Sequence, residues 1–127
     1  MKYPNVFIGS ESILEGSFII GKPPRGGKEG ELKTVIGEWS IIMPFTAIYS
    51  GNQIGADFQT GQGVSIREHN VIGNNVSMGT NTVLEFGNKI GNNLRIPTVC
   101  FLVLVTNKSD VFIELNVVFT DNPLSHV

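Results

Sequence analysis

The sequence predicts an all-β protein whose chain winds as a parallel β-helix of about five to six coils. Two observations carry this prediction. Aliphatic residues return at every sixth position over the middle of the chain, and Ile-Gly pairs return at every eighteenth. Neither an α-helix, with its period of about 3.6 residues, nor an ordinary strand, with its period of two, produces this spacing. A coil of three six-residue pieces, each one short strand and one corner, produces both.

The six-residue step defines the predicted interior. Of its twelve positions, eleven are aliphatic or Met and the exception is Thr60. Residues one coil apart should stack at a strand spacing of ~4.8 Å, so these side chains are predicted to form inward columns. The positions are Ile36, Ile42, Ile48, Ile54, Thr60, Ile66, Ile72, Met78, Leu84, Ile90, Ile96 and Leu102.

The 18-residue step adds two further expectations. Glycine follows the aliphatic residue once per coil, at Gly37, Gly55, Gly73 and Gly91, and is predicted to occupy a strained corner. A second inward position lies four residues after the first and is mostly small or apolar. On one face it is asparagine in three successive coils, which predicts a hydrogen-bonded ladder. That ladder would comprise Asn52, Asn70 and Asn88.

The pattern extends towards both ends of the chain, so residues 1–127 are interpreted as one domain. Ile8, Leu14 and Ile20 continue it backwards. The interval from Ile20 to Ile36 is ten residues longer than one piece, and GKPPRGGKEGELKT (21–34) is therefore predicted to be an excursion loop. After Leu102 the phase slips by about one residue, and Ile113 and Phe119 resume it.

Composition restricts the function classes. A net charge of −2 argues against a nucleic-acid partner, which usually needs a basic face. The longest apolar run, residues 99–105, is too short to cross a membrane, and the N-terminus lacks the apolar core of a signal peptide. One cysteine, Cys100, allows no internal disulfide. We therefore expect a cytoplasmic protein. Two distant histidines and Cys100 do not make a metal site.

The six-residue repeat resembles that of the hexapeptide-repeat acyltransferases. Four stretches are similar to the branch that acylates sugars, often amino sugars carried on nucleotides, and the similarity covers about residues 4–123. It implies a left-handed coil, against the usual right-handed rule for parallel strands. It also implies a homotrimer, acetyl-coenzyme A as acyl donor, and active sites between subunits. The stretches are FIIGKPPRG (18–26), ELKTVIGEWSII (31–42), NQIGADFQTGQGVSIRE (52–68) and DVFIELNVVFTDNP (110–123).

The chain departs from the branch at positions that matter for catalysis. Gln62 stands where the branch commonly has a histidine, and Pro97 stands where it often has another. Glutamine cannot act as a general base, and proline supplies neither base nor N–H donor. Related enzymes also usually continue with further coils beyond the position of Val127. Two hypotheses stay open: an acetyl-CoA-dependent acyltransferase acting on a sugar or nucleotide-linked amino sugar, and a catalytically impaired or truncated relative that serves as a trimeric binding or scaffold protein.

Three residues are the catalytic candidates. His69, at an outward corner, is a candidate base, and Glu68 is a candidate to orient an attacking amine or accept its proton. Gln62 is the residue at the family's histidine position. The structural alternative for His69 is a solvated corner residue. For every outward polar residue of a solenoid, the alternative to a functional role is likewise a solvated surface position.

Six residues are the candidates for substrate binding. Arg67 stacks one coil below Glu85, which predicts either a structural ion pair or an arginine that Glu85 holds ready for a nucleotide phosphate. Gln59 and Asn81 are candidates for sugar hydroxyls. Lys22 and Arg25, on the excursion loop, are candidates for phosphate.

The stretch VCFLVLV (99–105) is apolar at outward as well as inward positions. Contiguous exposed apolar surface marks an interface, so we expect this stretch either in the axis-facing contact between trimer subunits or under a missing C-terminal segment.

Overall fold

The computed structural model describes residues 1–99 and, beyond them, the backbone of residues 101–102, 106–107 and 118–119. Every regular element in this part of the chain is a strand, which confirms the predicted all-β class. In chain order the strands are β1 (Val6–Ile8), β2 (Ile13–Leu14), β3 (Phe18–Lys22), β4 (Thr34–Ile36), β5 (Ile41–Ile42), β6 (Thr46–Tyr49), β7 (Gln53–Ile54), β8 (Gln59–Thr60), β9 (Ser65–Ile66), β10 (Val71–Ile72), β11 (Ser77–Met78), β12 (Val83–Leu84), β13 (Lys89–Ile90), β14 (Arg95–Ile96), β15 (Phe101–Leu102), β16 (Thr106–Asn107) and β17 (Val118–Phe119).

The strands form three parallel sheets, which are the three faces of the solenoid. The first face is β1-β4-β7-β10-β13-β16, the second is β2-β5-β8-β11-β14, and the third is β3-β6-β9-β12-β15-β17. The chain visits the faces in that order, so the first corner joins the first and second faces, the second corner joins the second and third, and the third corner returns to the first. This is the predicted coil of three pieces. Its left-handed sense stays a prediction.

The register follows the 18-residue step. Ile54 pairs with Ile72, and Ile72 pairs with Ile90. Each residue therefore lies one coil above the residue 18 positions before it. Towards the C-terminus Leu102 pairs with Phe119, 17 residues further on, which confirms the predicted slip of one. Ile113 lies outside the described residues.

The predicted columns are the core. From Ile36 to Ile96, every residue on the six-residue step is at most 4% exposed. Thr60 fits this interior because its Oγ1 accepts a hydrogen bond from the Met43 N–H at 3.1 Å and lies 3.2 Å from Thr46 Oγ1. The side chains of Leu102 and Cys100 lie outside the described residues.

The repeated glycine has a different reason from the one predicted. Gly37, Gly55 and Gly73 do not have a positive φ. A Cβ on Gly55 would lie 2.2 Å from Asn74 Oδ1 and 2.8 Å from the Gly73 carbonyl oxygen in the next coil. The position therefore excludes a side chain because successive coils touch there, and the expectation of backbone strain at this glycine was wrong.

The strained backbone lies two residues after the glycine and recurs at all three corners. From residue 39 to residue 99, every sixth residue has a left-handed φ, between 57° and 82°. Glycine, asparagine or aspartate fills seven of these eleven positions, as the sterics of that region favour. The other four are Trp39, Phe45, His69 and Val99.

The asparagine ladder is confirmed. Asn52, Asn70 and Asn88 are at most 1% exposed. Asn52 Oδ1 accepts from the Asn70 backbone N–H at 3.0 Å, and Asn70 Oδ1 accepts from the Asn88 backbone N–H at 2.8 Å. The same Asn70 oxygen also accepts from Asn88 Nδ2 at 3.0 Å. The ladder thus joins side-chain amides to backbone as well as to each other.

The excursion lies at the third corner between the first and second coils. It is shorter than predicted, at residues 23–33, because β3 runs through Lys22 and β4 starts at Thr34. The first-coil residue Ile8 pairs with Ile36, 28 residues on, so the excursion adds the predicted ten residues to one coil. Its return is fixed by Asn5 Nδ2, which donates to the Gly30 carbonyl at 3.1 Å.

Candidate functional site

The third corner carries two cations on one aromatic ring. Lys22, Tyr49 and Arg67 occupy equivalent outward positions at the end of successive strands of the third face. The Arg67 guanidinium carbon lies 4.6 Å from the centroid of the Tyr49 ring, and Lys22 Nζ lies 5.8 Å from it. Both distances are within the range of cation–π attraction. The ring therefore gathers positive charge at this corner.

Arg67 pairs with Glu68 and not, as predicted, with Glu85. Its Nε donates to Glu68 Oε1 at 3.1 Å, and this is the only ion pair within the described residues. The guanidinium lies on the ring of Tyr49, one coil before Arg67, whereas Glu85 lies one coil after it, so Arg67 forms no ion pair with the stacked carboxylate. The side chain of Arg67 is 37% exposed and that of Glu68 is 16% exposed. An ion pair this open to water contributes ~0–1 kcal/mol. It engages one of the five guanidinium N–H donors, and the other four remain for a ligand.

His69 completes this corner. It is exposed, its φ is 61°, and its imidazole lies over Gly51 in the preceding coil. An imidazole nitrogen can serve as a general base. The corner therefore presents an imidazole, a carboxylate and two cations in adjacent columns, on a convex surface.

Ser50 also lies at this corner, although the sequence did not single it out. It holds the corner position one coil before Glu68, but it is only 3% exposed, and its Oγ has no hydrogen-bond partner in the described part of the chain. The equivalent residues Glu68 and Phe86 are not buried. Ser50 is covered because the excursion returns directly over this corner, with Thr34 Oγ1 accepting from the Gly51 N–H at 3.2 Å.

The remaining candidates lie elsewhere. Gln59 is on the second face, in one outward column with Ser77 and Arg95. Gln62 and Asn81 are exposed at the second corner, where the Asn81 N–H donates to the Gln62 carbonyl at 2.9 Å. Arg25 is exposed on the excursion loop.

The second face holds an open groove. Its volume is about 350 Å³, and its lining includes the column Gln59, Ser77 and Arg95 together with Gly61 and Gly79. A smaller polar recess beside it, of about 80 Å³, is formed by the same column and the first-corner residues Asp57, Asn75 and Asn93. Ser77 and Arg95 were not assigned from the sequence, although the 18-residue step places both directly above Gln59.

One chain does not bring the two groups together. The third corner is the edge of the triangular coil opposite the second face. Arg67, Glu68 and His69 therefore point away from the groove that contains Gln59. Within a single chain, the third-corner candidates and Gln59 therefore do not form one site.

Three further findings bear on function. No group of three or more His, Cys, Asp or Glu residues that could hold a metal ion occurs among the residues described. Over the same residues, no helix is long and apolar enough to span a membrane. Comparison of the chain with protein-family models gives no match, and comparison with curated proteins gives none either.

Proposed function

We propose that the protein transfers an acetyl group from acetyl-coenzyme A to the amino group of a sugar, carried on a nucleotide. The observation that carries the proposal is the third corner, where His69 and the Arg67–Glu68 pair stand side by side on the coil that the resemblance implies. Cations, a carboxylate and an imidazole in adjacent columns suit an amine acceptor whose nucleotide is anionic. We include in this proposal that the protein is located in the cytoplasm.

Each residue of the corner has a role in this proposal. Arg67 and Lys22, both held on the Tyr49 ring, bind the nucleotide phosphates. Glu68 fixes the direction of the guanidinium through its 3.1 Å contact. His69 takes the proton that the amine loses as its nitrogen forms the bond to the acyl carbon. On bound acetyl-coenzyme A the bond between the acyl carbon and the sulfur would break, and the proton held by His69 would pass to the leaving sulfur, which would depart as the thiol.

The second-face groove fits acetyl-coenzyme A in two respects. Arg95 is exposed and forms no ion pair with a described carboxylate, so its guanidinium is available for a phosphate. Gly61 and Gly79 give part of the groove a floor without side chains, along which a narrow amide-containing arm can lie. Gln59 and Ser77 can hydrogen-bond such amides. Acetyl-coenzyme A supplies the activated acyl group.

The proposed site needs two copies of the chain. The groove and the corner face opposite ways, so the groove of one copy must receive the third corner of its neighbour. This arrangement agrees with the homotrimer that the resemblance implies. It also explains how a convex corner becomes part of an enclosed site.

The first experiment measures thiol release. Purified protein is given acetyl-coenzyme A and a panel of nucleotide-linked amino sugars, and the free thiol is detected with a chromogenic reagent. His69→Asn should abolish release without loss of stability, because asparagine tolerates the left-handed φ of 61°. Glu11→Asn, at the left-handed position of the first corner in the first coil (φ 62°), is the matched control and should leave the rate unchanged, since Glu11 lines neither the groove nor the recess. Absence of thiol release with every sugar would refute the transferase.

The second experiment tests the shared site by complementation. His69→Asn and Arg95→Gln should each be inactive alone. When the two variants are mixed in equal amounts and their subunits exchanged, about one quarter of the sites should combine an intact corner with an intact groove, and activity should return to about that fraction. A mixture that stays inactive would place the whole site in one chain and contradict the two-copy arrangement.

The second candidate function is a binding or scaffold protein without turnover. Gln62 and Pro97 at the family's histidine positions favour it, and so does the engagement of Glu68 by Arg67. A ligand that binds only the folded state raises the unfolding midpoint. A shift with a nucleotide sugar, together with no thiol release, would support this candidate over the enzyme.

A further inference from the structure

The second face changes character along the solenoid. In the first two coils three of the four outward residues, Ile13, Ile41 and Met43, are apolar and the fourth is Glu15, whereas in the next coils the outward residues include Gln59 and Ser77. Ile13 is 50% exposed, and Ile41 and Met43 are partly exposed. Because β2 and β5 are directly paired, these side chains form a continuous apolar floor.

Two exposed aromatic side chains flank this floor. Trp39 is at the first corner and is 56% exposed, and Phe45 is at the second corner of the same coil and is 72% exposed. Their φ angles are 63° and 64°, in the left-handed region where other coils carry Asp57, Asn75 or Gly63. Neither ring is buried, so core packing does not account for aromatic residues at these two positions.

The charges around this surface have one sign. In each of the first three coils, one segment runs from the first corner to the second. These three segments contain four carboxylates and no lysine or arginine; they are residues 9–17, 37–46 and 55–62. Glu11 and Glu15 come from the first coil, Glu38 from the second, and Asp57 from the third. No ion pair to any of the four is formed within the described residues.

We propose that this surface, formed by Ile13, Trp39, Ile41, Met43 and Phe45, docks a basic segment of a partner protein that presents apolar side chains together with lysine or arginine. The apolar floor and the two rings supply the buried contact, and the acidic rim selects the positive charge. Cations can also lie over the exposed rings. The proposal does not depend on the acyl-transfer site, which lies at the opposite corner and further along the second face.

The charge pattern argues against the other occupants. A second copy laid on this face by a twofold axis would place carboxylates against carboxylates. An anionic membrane surface would be repelled for the same reason. Residues 103–127 of the same chain carry one lysine and three carboxylates, so they lack the required positive charge.

The test uses the single tryptophan of the protein, Trp39, as the reporter. The probe is a synthetic peptide of about ten residues in which leucine and lysine alternate, and its control is the same peptide with glutamate in place of lysine. The basic peptide should shift the Trp39 emission to the blue in a saturable manner. Its affinity should fall as salt is raised, since exposed charges are screened. The acidic peptide should give no shift.

Two variants localise the binding. Phe45→Asn and the pair Glu11→Lys with Glu15→Lys should each weaken the basic peptide about tenfold or more, as expected for an aromatic anchor and for reversed rim charges. Glu29→Lys, on the excursion loop, changes the net charge without touching the surface and should alter the affinity by less than about twofold. Far-ultraviolet spectra identical to that of the wild type ensure that the variants are folded.

Several results would overturn the proposal. They are equal binding of both peptides, no emission change with the basic peptide, and unchanged affinity in Phe45→Asn. Self-association by light scattering that Phe45→Asn abolishes would make the occupant a second copy. A blue shift with anionic lipid vesicles that exceeds the shift with the peptide would make it a membrane.

Discussion

Replacing Asn70 by alanine removes the middle rung of the asparagine ladder and tests the stacking on which the fold depends. Asn70 is fully buried. Its Nδ2 donates to the Arg67 carbonyl at 2.9 Å, and its Oδ1 accepts from the Asn88 N–H at 2.8 Å and from Asn88 Nδ2 at 3.0 Å. The substitution removes all three hydrogen bonds at once.

The expected loss follows from these contacts. A buried hydrogen bond contributes about 1 kcal/mol net, so three give about 3 kcal/mol. The space left by the amide adds a cavity cost, and about 3–4 kcal/mol is a reasonable total. Domains of this size are stable by about 5–15 kcal/mol, so the variant should fold but be clearly weakened. With a urea slope of about 2 kcal/mol/M, the midpoint should fall by about 1.5–2 M.

Urea unfolding followed by circular dichroism, at one fixed protein concentration, measures this change. Asn74→Ala is the control. Asn74 also bonds between coils, with its Oδ1 accepting from the Ala56 N–H at 2.8 Å, but it is exposed and water can replace that bond. It should cost under about 1 kcal/mol. If the two variants lost the same stability, the ladder would have no special role and the reasoning would be refuted.

Three further tests, with five variants, probe the packing and the corners by the same unfolding measurement. Gly55→Ala should lower the free energy of unfolding by about 1–3 kcal/mol because its Cβ would overlap the next coil. Gly87→Asn should lower it by under about 0.5 kcal/mol, since φ there is 75° and a Cβ would meet no atom within 4 Å. Equal losses would contradict the close-contact explanation. Phe45→Gly should be more stable than Phe45→Ala by about 1 kcal/mol, since only alanine resists the left-handed φ, and the reverse order would show that the corner is unstrained. Thr60→Val should cost about 1–2 kcal/mol because the Met43 N–H loses its acceptor, and a neutral result would mean that this N–H finds another partner.

The periodicity of the sequence predicted the fold to the level of individual pairs. In a coil of fixed length, the position of a residue in the repeat determines which residue lies above it and which lies below. That is why Ile54, Ile72 and Ile90 could be placed in one column, and why the ladder of Asn52, Asn70 and Asn88 could be predicted before any contact was known.

The same logic does not determine side-chain direction. Stacking placed Glu85 above Arg67, but Arg67 turns to Glu68, its neighbour in sequence, while its guanidinium lies on Tyr49. Long side chains choose among several partners at similar cost, and the repeat carries no information on that choice. The glycine of each Ile-Gly pair was likewise placed correctly but explained wrongly, because a sequence shows that a side chain is excluded and not whether φ or a close neighbour excludes it.

The exceptions to the repeat carry the information about function. Each corner has one left-handed position, and most coils fill it with a residue that suits it. Trp39, Phe45, His69 and Val99 do not suit it, and all four are exposed, so the fold gains nothing obvious from them. Residues that are unfavourable for their backbone conformation, and that gain no buried contact in return, are expected where function requires them. Trp39 and Phe45 flank the proposed docking surface, and His69 lies at the proposed transfer site. Glycine in place of Trp39, Phe45 or His69 should therefore leave the solenoid intact and remove only the property that the side chain supplies.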